Sequence, residues 1–435
     1  MKAVFSSTQI LLLMCLFLCS CRQKSTVESD GVAIINVENQ IGKYHAIPAS
    51  EYVSGLEYIP LETNDRCLMG KVNEIFVESS HIFIYGFNGS RSFCYTFGRD
   101  GKFLGEIGHY GQGPSEYTSI FNMSIDEKEQ CLYLSVMGDK MLKYSWNGDF
   151  LQSIKTPQMG THIDNLIFLR DSLFIGHICN STGREMYNFL IFNNSGEIIK
   201  TFDNHIKFEL VNGPFNVIST FSMQPYKVSQ NIYLKELSND TLYCLNEQNE
   251  LIPQFYFHLG KYIYPIDLRQ IISTGSNAPS KNLIAIPKIN IPIVGTSDYI
   301  FFSTSPGMNI PSPKGMVRTV SAFGGGTVDI EDSSPVGIYD IAKKSTQLLD
   351  TDPVSRMTGL VNDLDGGLSF WPKYYTSDNE LVDVWQAYEM KEILTEKYFA
   401  AHKINNPQAH QKLKALLTNL DWEDNPVIVI GKLKK

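Results

Sequence analysis

The densest collection of chemistry-bearing residues in this chain is Gly108 to Tyr117, GHYGQGPSEY, which sets a histidine, an amide and a carboxylate among three glycines. Backbone amides of such a run can cradle phosphate, but no Gly-Lys-Ser/Thr follows and Pro114 removes a donor. Gly111 and Gly113 allow positive φ, while Pro114 fixes its own. The stretch therefore reads as a tight joint between two repeats, capped by packing of Tyr117. None of the nine histidines pairs with another at the spacing of a metal-binding helix. His109 and His162 are the best placed, each just ahead of an inner strand, and a structural or solvent-facing role is favoured for both. Asn362 to Gly367, NDLDGG, begins like a calcium loop but lacks the later bidentate Glu, so a tight turn between the inner strands of the last repeat is expected. No Gly-x-Ser-x-Gly elbow occurs. No catalytic residue, metal ligand or bound cofactor is designated.

Covalent chemistry is expected at one cysteine. Lys2, the apolar run Ile10 to Leu18 and the sequence Leu18-Cys19-Ser20-Cys21 have the form of a bacterial lipoprotein signal. The apolar run is too short to remain as a spanning helix. Residues 1–20 are read as the signal peptide, with lipid added at Cys21, and residues 21–31 as a polar tether. The folded part, 32–435, would then be attached to a membrane without crossing it. No acidic cluster follows Cys21, which favours an outer-membrane lipoprotein facing the periplasm over one exposed at the cell surface.

The formal net charge of -9 argues against a nucleic-acid partner, because no basic stripe is available for a phosphate backbone. Cys67, Cys94, Cys131, Cys179 and Cys244 would remain in the mature chain, scattered and without Cys-x-x-Cys spacing. They suit buried single thiols better than a disulfide framework or a zinc site.

The elements that must position any site are short strands. Apolar runs recur as HIFIYGF (81–87), CLYLSVM (131–137), SLFIGHI (172–178), NIYLKEL (231–237), DYIFFST (298–304) and GLSFWP (367–372). Five of them precede a hairpin pattern such as YTFGRDGKFLGEI or IFNNSGEIIKTF. The step from Gly101 to Gly148 to Gly196 fits four short strands with their turns, which is a propeller period. After GLSFWP the pattern becomes helical. ELVDVWQAYEMKEILTEKYFAAHK aligns Leu381, Val384, Trp385 and Tyr388 on one face, and Asn406-Pro407 starts a second helix marked by Leu413, Leu416, Leu417 and Leu420. The expected fold is all-β, a six-bladed β-propeller with a two-helix insertion (373–425) in its last blade. That blade ends on PVIVIGKL and lacks an outer strand, which LEYIPLE near the N-terminus can supply, removing an exposed edge.

YIPLETND (58–65), DGKFLGEIGHYGQGPSEY (100–117) and DNPVIVIGKLKK (424–435) resemble the six-bladed β-propeller lipoproteins of Gram-negative gut-type bacteria, related in shape to NHL-repeat propellers. The resemblance covers nearly the whole mature chain and implies that fold, with no catalytic residues to carry over.

Three functions fit these features. The first is a lipid-anchored envelope module that binds a ligand or an envelope protein. The second is a metal-dependent propeller lyase or hydrolase, and the third a structural subunit of an outer-membrane assembly. Long connections fall on the face formed by the blade joints and the loops between second and third strands, where binding residues concentrate. His109, Gln112, Glu116, Tyr262, Arg318 and Trp371 are the candidate ligand-binding residues there.

Overall fold

In the computed structural model the described residues are 31–434, apart from 139, 161–162, 181, 208, 210–222, 229–230, 237–238, 263–287, 306–316, 322–326 and 332–334. Cys21, His162 and nearly all of the tether lie outside them.

Six antiparallel sheets follow one another along the chain as blades. Blade 1 is Lys71–Val77, His81–Asn88, Arg91–Gly98 and Phe103–Glu106. Blade 2 is Ile120–Asp126, Cys131–Val136, Lys140–Ser145 and Phe150–Lys155. Blade 3 is Ile163–Arg170, Leu173–Ile178, Tyr187–Asn193 and Ile198–Asp203. Blade 4 is Met223–Val228, Asn231–Glu236, Thr241–Leu245 and Leu251–His258. Blade 5 is Lys288–Gly295, Tyr299–Ser305, Val336–Asp340 and Ser345–Leu349, with the hairpin Val317–Ser321 and Thr327–Glu331 inserted between its second and third strands. Blade 6 is Tyr374–Tyr375, Glu380–Trp385, Val427–Leu433 and, from the start of the chain, Val53–Pro60.

Strands covered on both sides should read as unbroken apolar runs, and every residue of Cys131–Val136 is buried. Side chains from adjacent blades mesh between the sheets. Ile75, Val77, Ile82 and Ile84 of blade 1 meet Val382, Val384, Ile428 and Ile430 of blade 6. The expected closure is present: Val53–Pro60 pairs antiparallel with Val427–Leu433, Tyr58 opposite Val429.

The N-terminal segment does more than complete one blade. Ala33–Asn36 adds a parallel fifth strand to the outer edge of blade 4, and Tyr44–His45 does the same for blade 5. Residues 33 to 60 thus form a strap across the rims of three consecutive blades.

Blade 6 departs from the sequence expectation in two ways. Residues 367–372 are not its inner strand; within them Phe370 makes only an isolated bridge to Leu360. The second strand is instead Glu380–Trp385, which the helical stripe had claimed. Leu381, Val382, Asp383, Val384 and Trp385 are all buried, so both faces of this segment are covered and the spacing of its apolar residues carries no period. Three helices rather than two follow: α1 (Ala387–Ile393), α2 (Glu396–Ala401) and α3 (Pro407–Asn419). Asn406 caps α3 as its sequence suggests, its side chain accepting a hydrogen bond from Ala409 N at 3.1 Å.

Asn362 to Gly367 is not a turn between inner strands but a buried polar knot under the helices. Asp363 accepts hydrogen bonds from Ser50 N (3.0 Å), Ser50 Oγ (2.6 Å) and Asn405 Nδ2 (2.6 Å). Asp365 accepts from Tyr58 Oη (2.9 Å), Asn362 Nδ2 (2.8 Å) and Gly367 N (3.0 Å). These carboxylates are committed to protein donors, joining the strap to the helical insertion.

Candidate functional site

The first strands of the blades surround the axis, and between them lies a cavity of ≈ 710 Å³ to which all six blades contribute. Glu74, Phe76 and Glu78 come from blade 1, Asn122 and Glu127 from blade 2, Phe168 from blade 3, Tyr226 and Lys227 from blade 4, Ile293 from blade 5 and Tyr374 from blade 6. Alternation along an extended strand sends residues 74, 76 and 78 to one side while Ile75 and Val77 pack between blades. The wall is therefore mixed, polar groups alternating with rings. Tyr226 reaches it by lying against Gly295 of blade 5; a Cβ there would stand 2.1 Å from the ring, so only glycine fits.

At the end of the cavity formed by the short turns between first and second strands, Glu78 and Glu127 share a hydrogen bond. Tyr374 Oη donates to Glu78 Oε1 at 3.1 Å, and its ring meets Phe76 edge to face at 5.2 Å. Glu78 is 4% exposed. Burial, then repulsion from Glu127, pushes its carboxyl up to about 8, while the Tyr374 hydrogen bond and the Lys227 charge hold it down. The folded chain keeps a proton that the unfolded chain releases near 4.5, so stability is expected to fall as pH rises from about 5 to about 8 and to level beyond. Urea midpoints across that range should slope downward in the native chain and flatten in Glu78→Gln. A slope unchanged by the substitution would place the proton elsewhere.

The residues singled out from sequence stand away from this wall. His109, Gln112 and Glu116 come together on the joint between blades 1 and 2, where His109–Tyr110 and Glu116–Tyr117 pair in parallel. His109 and Gln112 are exposed, and His109 Nδ1 lies 3.2 Å from Glu106 Oε2. Glu116 Oε2 accepts from Gly113 N at 2.8 Å. The positive φ of the joint is at Gly108 (66°), not at Gly111 or Gly113. Buried Tyr117 does cap the joint, donating to Ile107 O at 3.1 Å. Tyr262 packs beside Leu259, and Trp371 sits against Phe301 with ring centroids 5.7 Å apart, its backbone N–H donating to Asp383. Arg318 belongs to the inserted hairpin, and its side chain is outside the described residues. None of the five described candidates lines the axial cavity.

Sequence reasoning passed over Glu78 and Glu127, while Tyr374 stood out only as one of several aromatics able to form a stacking surface. The acids end or follow inner strands in ordinary turn contexts, and only the closing of the ring brings blades 1, 2 and 6 together. A signal was present in the repeat itself: Glu78 and Glu127 each follow the first strand of a blade. Buried histidines elsewhere are engaged by protein groups. His177 Nε2 lies 3.1 Å from Glu236 Oε1, and His402 Nε2 lies 2.5 Å from Asp352 Oδ2. Cys67, Cys94, Cys131 and Cys244 are buried free thiols, and Cys179 is buried as well. Among the described residues no three His, Cys, Asp or Glu side chains converge as metal ligands.

The fold and its wall of inner strands define a six-bladed β-propeller with an axial cavity. The model of the family described as Domain of unknown function (DUF4934) matches residues 32–432, and the chain belongs to that family. Among solved structures, a Bacteroides fragilis protein assigned to the exported class aligns at 18% identity and a TM-score of 0.64, covering 93% of this chain and 100% of its own. That likeness shows the shared fold. A Bacteroides vulgatus member of the DUF4221 family aligns at 11% identity and a TM-score of 0.49, over 88% of this chain and 97% of its own. Virginiamycin B lyase from Staphylococcus aureus, at 12% identity and a TM-score of 0.35 over 68% of this chain and 89% of its own, is too distant to bear on function. No curated protein matches the chain.

Proposed function

We propose that this protein is a lipid-anchored binding module of the cell envelope that takes a small ligand into its axial cavity. The observation that carries this reading is the cavity itself, ≈ 710 Å³ with carboxylates, amides and aromatic rings on one wall. That volume falls within the roughly 300–1,000 Å³ of small-molecule sites. Every blade contributes to the wall, so the site is preset by the scaffold and binding loses little to reorganisation. On the opposite face, the exposed joint bearing His109, Gln112 and Glu116 is the proposed contact for an envelope partner.

A thermal-shift screen of small metabolites tests the cavity. Binders should stabilise the native chain and lose that effect in Asn73→Trp, where an indole on the exposed lining residue Asn73 narrows the cavity. Compounds that stabilise both proteins equally would place the site elsewhere.

Anchoring is proposed through lipid on Cys21, at the outer membrane and facing the periplasm. Its support is the Leu18-Cys19-Ser20-Cys21 sequence, with which the exported class of the B. fragilis neighbour agrees. Cys21→Ala is expected to move the protein from the membrane pellet to the soluble fraction with its fold intact, because lipid alone carries the attachment. A variant that still pellets after a salt wash would contradict this.

A further inference from the structure

The polar atoms on the cavity wall narrow the class of ligand, on the footing that the cavity is the binding site proposed above. Its short-turn end presents the Glu78 and Glu127 carboxyls side by side, with the Phe76–Tyr374 ring pair directly adjacent. Further along the wall, Asn122 is 6% exposed and its Oδ1 has no hydrogen-bond partner. Of the two lysines that line the cavity, Lys373 is committed elsewhere, its Nζ 3.1 Å from Asp383 Oδ1 and donating to Val384 O at 3.0 Å, while the Lys227 charge offsets only part of that of the three wall carboxylates Glu74, Glu78 and Glu127. The wall thus offers acceptors in excess and asks for a donor. We infer that the cavity takes an organic cation, its ammonium group between Glu78 and Glu127 and its carbon body against the Phe76 and Tyr374 rings.

Two features favour an organic cation over a metal ion. Calcium takes about six to eight oxygens, whereas two carboxylates meet here and no triad of acidic or metal-ligating side chains forms among the described residues. Aromatic faces and edges beside a carboxylate suit an ammonium that carries carbon, since the ring quadrupole attracts the charge and the ring body covers the methylenes.

Binding is coupled to protons. Glu78 is faced by Glu127 from blade 2, Tyr374 from blade 6 and Lys227 from blade 4, and Glu74 lies along its own strand. An arriving cation displaces the proton that the carboxyl pair holds. Affinity should therefore climb as pH rises from about 6 toward about 8, where burial and Glu127 set the Glu78 carboxyl, and flatten above.

The test is titration calorimetry of the full chain in detergent, with 1,6-diaminohexane and choline as cationic probes and 1,6-hexanediol as the neutral match. The expected result is binding of the cations at least tenfold tighter than the diol, with proton release at pH 7. Glu78→Gln and Glu127→Gln should each weaken the diamine about tenfold or more. Diol and diamine of equal affinity, both indifferent to the Gln substitutions but lost in Asn73→Trp, would overturn the cation inference and leave the cavity reading standing. Failure of every probe, together with a metabolite screen blind to Asn73→Trp, would remove both. If the Gln variants do not fold, the pH series on the native chain decides, because an affinity flat between pH 6 and 8 overturns the inference.

Discussion

A chain ending at Asn425 is expected to show no cooperative thermal transition. Val427–Leu433 is flanked on both sides, by Glu380–Trp385 and by Val53–Pro60, and its loss leaves blade 6 in two unpaired pieces. Val427, Ile428, Val429 and Ile430 are all buried, each at most 3% exposed. Burial of such side chains stabilises by about 1.5–3 kcal/mol apiece. Four of them together are comparable with the whole stability of an ordinary domain, roughly 5–15 kcal/mol. Near-ultraviolet circular dichroism and a melting scan give the readout. A truncated chain that melts at the native temperature would show that the ring is closed by other contacts.

Asp365→Ala is expected to cost about 3–5 kcal/mol, since each buried donor left unsatisfied costs roughly 1–3 kcal/mol and three are left. Asp365 has no exposed surface, and Tyr58 Oη, Asn362 Nδ2 and Gly367 N all direct hydrogen bonds to it. Deletion strands three donors where water cannot replace the carboxylate, and unsatisfied buried groups are costly individually. Asp365→Asn keeps one acceptor oxygen and should lie between native and Ala. Urea midpoints measure both, and an Ala variant within about 1 kcal/mol of native would mean that the knot tolerates loss of its centre.

The propeller was legible because its evidence is local and repeated. Five second strands and their hairpins stand where unbroken apolar runs and turn residues put them, from His81–Asn88 to Tyr299–Ser305. Closure was legible for a different reason, since a short last blade leaves an edge that only an orphan strand can cover. Blade 6 itself was misread because the buried Asp383 interrupts the apolar run of Glu380–Trp385 and a true helix starts two residues later, at Ala387. Leu381, Val384 and Trp385 then fall by chance at helical spacing. The axial carboxyl pair was not legible, because Glu78 and Glu127 acquire their chemistry from the side chains of Tyr374 and Lys227, which lie far away in sequence. The joint GHYGQGPSEY attracted notice for the opposite reason, its composition being unusual while its groups largely order the turn.

The strap across blades 4, 5 and 6 has a bearing on how the chain is made. Residues 33 to 60 are synthesised well before their partners, Leu251–His258, Ser345–Leu349 and Val427–Leu433. At roughly 5–20 residues per second, the last of these partners appears on the order of twenty seconds to more than a minute after the strap does. Throughout that interval VSGLEYIP is a strand without a sheet, while blades 1 to 3, whose pairings are all local, can form behind it. Partners so distant in sequence also make ring closure the slow event in folding. A nascent chain of this design has reason to be held extended by a chaperone at its N-terminal end until its final residues emerge.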